Sequence, residues 1–228
     1  RLADTVGQGL LRGVLLPLMA NDQIIGAMLA GDGIDDDYTP DRIEFLSRVA
    51  DQVAGAINNI ALRDDLERES SQTLALAEIS RAVSRSLDFE VIGDTIFGHL
   101  SRLMGASKLI VRTVSDDGET VTIVYANVST PPGVRTIDEI KGSFTGLAIT
   151  TGERQMFGRS NRADALENSP QLQIAIAEWE LARAISLPLI VQDRVVGALM
   201  LGDEVDDDYS QEDGEFAQRI ADQISGAF

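Results

Sequence analysis

The chain has 228 residues, 44% of them hydrophobic and 25% charged, a balance typical of a globular protein and not of a disordered or fibrous one. Acidic residues outnumber basic ones by 37 to 19, which gives a net charge of −18. Such an anionic surface repels phosphate backbones and no basic cluster interrupts it, so we expect no nucleic-acid partner.

Missing residue types narrow the chemistry further. There is no cysteine, which excludes disulfides, thiolate nucleophiles and cysteine-bound metals. His99 is the only histidine, so a nucleophile has one possible imidazole base. No apolar run approaches the roughly 20 residues that span a bilayer. We therefore predict a soluble cytoplasmic protein that is not an enzyme, with no catalytic residues, no metal, no cofactor and no membrane partner.

The first predicted elements are a hairpin over Gly13–Leu29 and a long helix over Pro40–Ser86. Pro40 suits the first helical position, and no Gly-Pro break follows it. The middle of this helix, Arg63–Gln72, is strongly polar, so it cannot be buried in one small domain and is expected to pair with a partner helix or bridge two domains. We predict a homodimer through an apolar stripe of this helix that includes Val53, Ile57 and Ile60.

A second helix, two strands and an irregular segment follow, and the chain closes on two strands and a helix. The predicted ranges are, in order, a helix over Asp88–Met104, strands over Lys108–Val114 and Thr120–Asn127, a short helix near Thr145–Thr150, a short strand near Gln155–Phe157, a helix near Leu172–Leu181, strands over Ala184–Val191 and Arg194–Leu201, and a helix after Ser210. This order predicts an α+β fold with helices packed on one face of an antiparallel sheet.

An internal repeat organises the chain. A shift of 171 residues aligns 13–57 with 184–228, with 20 identities in 45 positions without a gap. Both copies contain Leu-Pro-Leu, and both contain an Asp triplet followed by Tyr, at Asp35–Asp37 and Asp206–Asp208. Only the second copy has a long upstream region. We therefore expect a piece of a larger protein, with the C-terminal part of a first domain at residues 1–60, a helical linker at 61–75 and a second domain at 76–228.

The repeated segment resembles the C-terminal half of GAF domains. That family typically shows Pro-Leu at a strand end, then Gly-x-Leu-x-Leu, an aromatic residue, Ser or Thr, acidic residues, and a helix with spaced Ala and Gln. The matching residues here are Pro188, Leu189, Gly197, Leu199, Leu201, Tyr209, Ser210, Asp213, Ala221, Gln223 and Ala227. Gly142–Gly158 is similar to the family's mid-domain turn, and residues 13–57 carry the same signature independently.

The resemblance implies a tandem sensory module with a GAF-like antiparallel sheet and a long connecting signalling helix. It implies a small-molecule pocket on one sheet face, dimerising helices on the other, and a covalently linked output domain such as a histidine kinase or nucleotide cyclase. The alternative is a dimerisation or spacer module without a ligand. The cyclic-nucleotide signature of the family is not found here, and bilin-attaching and sulfoxide-reducing members need cysteines.

Candidate ligand residues are the aromatic groups of the second domain, namely Tyr125, Phe144, Phe157 and Trp179. The same residues would equally fill the core of a domain without a ligand. Arg154 and Arg183 are possible partners for an anionic ligand, although solvated arginines are commoner. Neither Asp triplet has the alternating ligands of a calcium loop, and each precedes a helix start, which turn formation and the helix dipole explain.

Overall fold

The computed structural model describes residues 12–33, 38–86, 88–130, 133–169 and 171–226. The chain divides into two compact units, residues 1–70 and 71–228. The division point lies inside helix α1, Pro40–Arg85, which continues without interruption over 46 residues. The prediction of one long helix is therefore confirmed. The domain boundaries predicted at residues 60 and 75 also fall inside α1 and stay a prediction.

The first unit is a hairpin packed on a helix. Strands β1 (Arg12–Ala20) and β2 (Gln23–Asp32) pair antiparallel and, within the described ranges, pair with no other strand. Leu16 and Leu18 of β1 are buried against Ala50 and Ala54 of α1. The opposite side of the hairpin is open, since Leu15 is 64% exposed. The predicted acidic triplet Asp35–Asp37 lies outside the described residues.

The second unit is built on a six-stranded antiparallel sheet. Its helices and strands are, in chain order, α2 (Phe89–Met104), β3 (Lys108–Val114), β4 (Thr120–Ala126), β5 (Val134–Thr136), α3 (Ile137–Ile140), α4 (Phe144–Thr151), β6 (Gln155–Phe157), α5 (Arg162–Asn168), α6 (Leu172–Trp179), β7 (Arg183–Val191), β8 (Arg194–Asp203) and α7 (Gln211–Ser225). The strand order is β5-β4-β3-β8-β7-β6. The predicted α+β class is confirmed.

One face of this sheet carries the long helices. Residues 71–85 of α1, together with α2 and α7, bury an apolar cluster that includes Ile79, Ile96 and Phe216 against alternate residues of β3, β7 and β8. Asp88 caps α2 by accepting a hydrogen bond from the backbone of Glu90, and Ser210 caps α7 through a capping box with Asp213. The other face is covered by the short helices of residues 137–179, which pack on Ile110, Met200 and their neighbours.

The two copies of the repeat adopt the same local structure. The pairs of β1 with β2 recur in β7 with β8 at the offset of 171 residues, including the register shift after Leu18 and after Leu189. Both hairpins turn through two residues with positive φ, at Asn21–Asp22 and at Gln192–Asp193. That turn matches the right-handed twist of the paired strands. The duplication read from the sequence is thus visible in the backbone.

Three short elements were not predicted, and their sequences explain why. Strand β5 has three residues and helix α3 has four, which is too short for a periodic pattern. Helix α5 contains no buried residue, so it shows no apolar stripe. Among the described residues, no helix is both long and apolar enough to cross a membrane.

Candidate functional site

A cavity of about 190 Å³ lies on the sheet face opposite the long helices. Its floor comes from strands β3, β4 and β8, and its walls from β5, α3, α4 and α6. The lining residues are Arg112, Val121, Ile123, Thr130, Gly133, Arg135, Ile140, Ser143, Phe144, Thr145, Gln171, Leu172, Ile174, Glu178, Trp179 and Met200. Apolar walls with a few polar groups are typical of a small-molecule site.

A β-bulge in strand β4 decides which side chains reach this cavity. Val111 pairs with Tyr125, but the next residue, Arg112, pairs with Ile123, so Val124 is the extra residue. The bulge reverses the alternation of β4, because residues opposite each other in a sheet share a face. Ile123 therefore lies on the cavity side with Arg112, whereas Tyr125 lies on the face of the long helices.

Two arginines place positive charge at the cavity. Arg112 is opposite Ile123, and Arg135 of β5 is opposite Val121, so both guanidinium groups start from the cavity face. Burial, with the charge of Arg135 as a second cause, lowers the pKa of Arg112 to about 10. Neither arginine makes a hydrogen bond or an ion pair with any residue in the described part of the chain.

The aromatic walls of the cavity are held in place by their neighbours. The ring of Phe144 meets that of Phe157 edge to face, with 5.3 Å between the ring centroids. The indole nitrogen of Trp179 donates to the carbonyl oxygen of Ser129 at 3.2 Å. These two side chains therefore offer a ligand a preformed apolar surface.

The first turn of helix α4 forms another wall. Ser143 caps this helix by accepting a hydrogen bond from the backbone of Gly146. Gly146 sits so close to the carbonyl oxygen of Ile140 that an added Cβ would overlap it, so glycine is required for this wall to approach helix α3. The positive end of the α4 dipole thus lies at the cavity.

The structure separates the aromatic candidates of the sequence. Phe144 and Trp179 line the cavity, whereas Phe157 lies behind Phe144 in the same apolar cluster. Tyr125 packs on Gly93 of α2 and donates to Asp94 at 3.0 Å, and burial raises its pKa to about 12. Ligand contact by these residues stays a prediction, and we leave Tyr125 and Phe157 out of the ligand proposal.

The arginines suggested by the sequence have protein partners. Arg183 donates to both carboxylate oxygens of buried Asp203, at 3.1 and 3.0 Å, and lies over the ring of Tyr209, while Arg154 donates to Gln211. Sequence reasoning missed Arg112 and Arg135 instead. The sequence contained one indication of this site, because Arg112 is a charged residue within the mostly apolar strand Lys108–Val114. A charge at that position indicates a polar function on one sheet face.

The carboxylates of the second Asp triplet contact basic and polar groups of residues 159–162. Asp206 pairs with Arg162 at 2.7 Å, and Asp207 lies 3.6 Å from Arg159. Asp208 accepts hydrogen bonds from the backbone and hydroxyl of Ser160, and the backbone bond is the main cause of its lowered pKa. These contacts tie the loop before α7 to the loop before α5.

His99 is buried and fully bonded on the face of the long helices. Its Nε2 lies 2.9 Å from Glu78 of α1, and its Nδ1 lies 2.7 Å from Arg102 of α2. It therefore links two helices and takes no part in the cavity. No group of three or more His, Asp or Glu residues that would hold a metal ion occurs in the described ranges.

The predicted dimer residues lie on α1 within the first unit. Val53, Ile57 and Ile60 are each exposed, Ile60 by 61%, and their spacing of four and three residues places them on one helix face. An exposed apolar stripe on a helix is typical of a surface that pairs with another helix.

Comparison with known proteins gives a consistent result for both units. A family model described as GAF domain matches residues 86–228, and another of the same description matches residues 8–57. No curated protein matches the chain significantly.

Several solved structures share the fold at low sequence identity. The GAF domain of an Acinetobacter phosphoenolpyruvate-protein phosphotransferase is 13% identical, with a TM-score of 0.53 over 68% of this chain and 91% of its own. The nlh2 GAF domain of A. aeolicus in an inactive state is 14% identical, with a TM-score of 0.54 over 71% of this chain and 97% of its own. A free methionine-R-sulfoxide reductase of Neisseria meningitidis, solved with its substrate, is 14% identical, with a TM-score of 0.52 over 69% and 87%.

Proposed function

Because this chain belongs to the GAF domain family, we propose that it is a sensory module that binds a small molecule and passes the binding event through α1 to an output domain. GAF domains are sensory and regulatory modules of signalling proteins. The observation that carries the ligand proposal is the cavity on the sheet face opposite the long helices, which is lined by aromatic and aliphatic side chains together with several polar ones. Phe144 and Trp179 are the proposed aromatic contacts.

The proposed route of coupling follows the loops around the cavity. Helix α6 forms one wall of the cavity, and the loop before α5 bonds to Asp206–Asp208, directly ahead of α7. Helix α7 in turn contacts α1, since Arg219 donates to Gln72 at 2.6 Å. A ligand that favours one arrangement of the wall helices would therefore favour one arrangement of α7 and α1. The output domain we propose is a histidine kinase or a nucleotide cyclase.

We also propose that two copies pair through Val53, Ile57 and Ile60 of α1. Replacing Ile57 and Ile60 together by Glu should dissociate the dimer in sedimentation, because two buried charges cost far more than the pairing gains. The matched control replaces Gln52 and Asn59 by Glu, which adds charge to a different face of the same helix and should leave the dimer intact. A wild-type chain that sediments as a monomer contradicts this proposal.

We propose that the chain is not itself an enzyme. One of the fold relatives is a sulfoxide reductase, but this chain has no cysteine to supply a thiolate. Its only imidazole, on His99, is held between Glu78 and Arg102 and lies away from the cavity. A ligand turned over chemically by the purified protein would contradict this proposal.

Native mass spectrometry of the freshly purified chain tests the ligand proposal. We expect wild-type protein to retain a small molecule that is released on denaturation. The control is Ile174→Trp, which fills the cavity mouth from a residue that is 58% exposed and so leaves the core unchanged. This variant should be empty.

The alternative of a spacer module without a ligand draws support from the length of α1 and its exposed apolar stripe. It predicts wild-type protein that is always empty, shows no thermal shift with any metabolite of a broad panel, and still dimerises. That combination of results would replace the sensory proposal.

A further inference from the structure

The cavity of the second unit holds two arginines that make no hydrogen bond or ion pair with the rest of the described chain, although hydrogen bonds from Thr136 and, to a smaller degree, the charge of Arg135 lower the pKa of nearby Glu139. Arg112 and Arg135 both line it, and neither donates to a carboxylate or carbonyl of any described residue. Of the nine other arginines of this unit, Arg81 and Arg85 are exposed on α1 and have no hydrogen-bond partner among the described residues, whereas seven donate to or pair with a protein group, namely Arg102, Arg154, Arg159, Arg162, Arg183, Arg194 and Arg219. The exposed Arg135 has Glu139 nearby, so the partly buried Arg112, without any hydrogen-bond or ion-pair partner among the described residues, is the charge at this cavity that requires an explanation.

The arrangement is unfavourable in the protein alone. Arg112 and Arg135 extend from the same sheet face, so their like charges repel each other, and partial burial removes water from Arg112. The lowered pKa of Arg112 reports both effects. An anion between the two guanidinium groups would remove the repulsion and supply the missing acceptors, since guanidinium groups bind carboxylates through two parallel hydrogen bonds.

The remaining charges at the cavity favour an anion of low charge. Glu178, an exposed residue of α6, is the one carboxylate among the lining residues. It reduces the charge of the lining residues from +2 to +1, and Glu139, which lies near Arg135, reduces the local charge further, so a single carboxylate matches the cavity better than a dianionic phosphate. The positive end of helix α4, whose first residues Ser143, Phe144 and Thr145 also line the cavity, acts in the same direction.

We propose that this cavity binds a small carboxylic acid with a flat apolar body, its carboxylate between Arg112 and Arg135 and its body against Phe144 and Trp179; this inference rests on the proposed function of small-molecule binding. The rings of Phe144 and Trp179 are already fixed by Phe157 and Ser129, so little ordering accompanies binding. The volume of about 190 Å³ suits a molecule with one ring and a short acidic side chain.

Matched acids and amides test the inference on the full chain by isothermal titration at low salt. The probes are phenylacetate with phenylacetamide, and indole-3-acetate with indole-3-acetamide, and phenyl phosphate tests the dianion. We expect each acid to bind at least tenfold more tightly than its amide, and phenylacetate more tightly than phenyl phosphate. Acid binding should weaken as sodium chloride is raised, because salt screens the charges.

Substitutions of single charged residues show which side chains hold the carboxylate of the bound acid. Arg112→Gln and Arg135→Gln should each weaken phenylacetate binding at least tenfold and leave the affinity for phenylacetamide unchanged. Glu178→Gln should strengthen phenylacetate binding a few-fold, because it removes a like charge. Arg194→Gln removes an exposed arginine outside the cavity and should change neither. Phenylacetate binding that survives in Arg112→Gln overturns the inference.

The outcomes also separate this inference from the proposed function. Equal binding of acids and amides would overturn the acid class while small-molecule binding stands. Tighter binding of phenyl phosphate than of phenylacetate would overturn the preference for a single carboxylate. Failure of every probe at 10 mM would overturn the inference, and the mass of a retained neutral compound in native mass spectrometry would then leave the sensory proposal standing on its own.

Discussion

Replacing Arg112 by Met should make the ligand-free protein more stable. Met keeps the apolar stem of the arginine and removes a guanidinium that has no protein partner among the described residues. The change removes both the desolvation of that charge and its repulsion from Arg135. A binding group that is unfavourable without its ligand is the expected signature of a site built for an anion.

The expected increase in the free energy of unfolding follows from the pKa of Arg112. Its pKa falls from 12.5 to about 10. Each pKa unit corresponds to about 1.4 kcal/mol, which sets an upper bound of about 3 kcal/mol. Arg112 is only partly buried, so solvent screening reduces the expected gain to about 1–2 kcal/mol. The lowered pKa means that the folded state binds the proton less tightly, so the gain is fully present below pH 10 and vanishes as the pH rises towards 12.5.

Urea unfolding at pH 7, followed by the fluorescence of Trp179, measures this gain. Trp179 is the only tryptophan and belongs to the second unit, so its emission reports on the unit that contains Arg112. The matched control is Arg183→Met, which leaves buried Asp203 without its ion-pair partner and should cost about 3–5 kcal/mol. An Arg112→Met variant that loses stability as Arg183→Met does would show that Arg112 has a structural role and contradict this prediction.

The remaining predictions concern packing in the second unit. Gly197→Ala should destabilise the chain by about 3 kcal/mol, because a Cβ at this position overlaps the carbonyl oxygen of Arg112. Gly26→Ala, at the equivalent position of the first unit, should change stability by less than about 0.5 kcal/mol. Thermal unfolding followed by circular dichroism compares the two variants, and equal effects would contradict the packing argument. Ser186→Ala should raise the free energy of unfolding by about 1 kcal/mol in urea, since the buried hydroxyl has no hydrogen-bond partner among the described residues; a loss would mean that it has one. His99→Ala should cost about 2–3 kcal/mol in the same assay, because the buried imidazole loses its packing and its contacts with Glu78 and Arg102, and an unchanged midpoint would show that the link between α1 and α2 contributes nothing.

The sequence was sufficient for the framework of this protein. Twenty identities at a fixed offset predicted two copies of one hairpin and helix, and the register shifts after Leu18 and Leu189 show that even the bulges are repeated. The unbroken helix over Pro40–Arg85 followed from the absence of a Gly-Pro break after Pro40. Both inferences rest on patterns that extend over many residues and do not depend on any single one.

The site was harder to predict because it depends on single residues in the sheet. The bulge at Val124 reverses the alternation of β4 and moves Tyr125 to the face of the long helices. No local pattern in the sequence predicts that bulge. Whether an arginine is partnered also depends on contacts between distant segments, as Arg183 with Asp203 shows and as Arg112 shows by their absence in the described chain.

A nuclear magnetic resonance titration of the arginine Nε–Hε groups with phenylacetate detects directly whether Arg112 contacts an acid in the cavity. Arg112→Met assigns the Arg112 cross peak by its disappearance. We predict that this peak shifts in a saturable manner, while the peak of Arg183, which is bonded to Asp203, stays in place. An Arg112 peak that remains fixed throughout the titration would contradict acid sensing by this cavity.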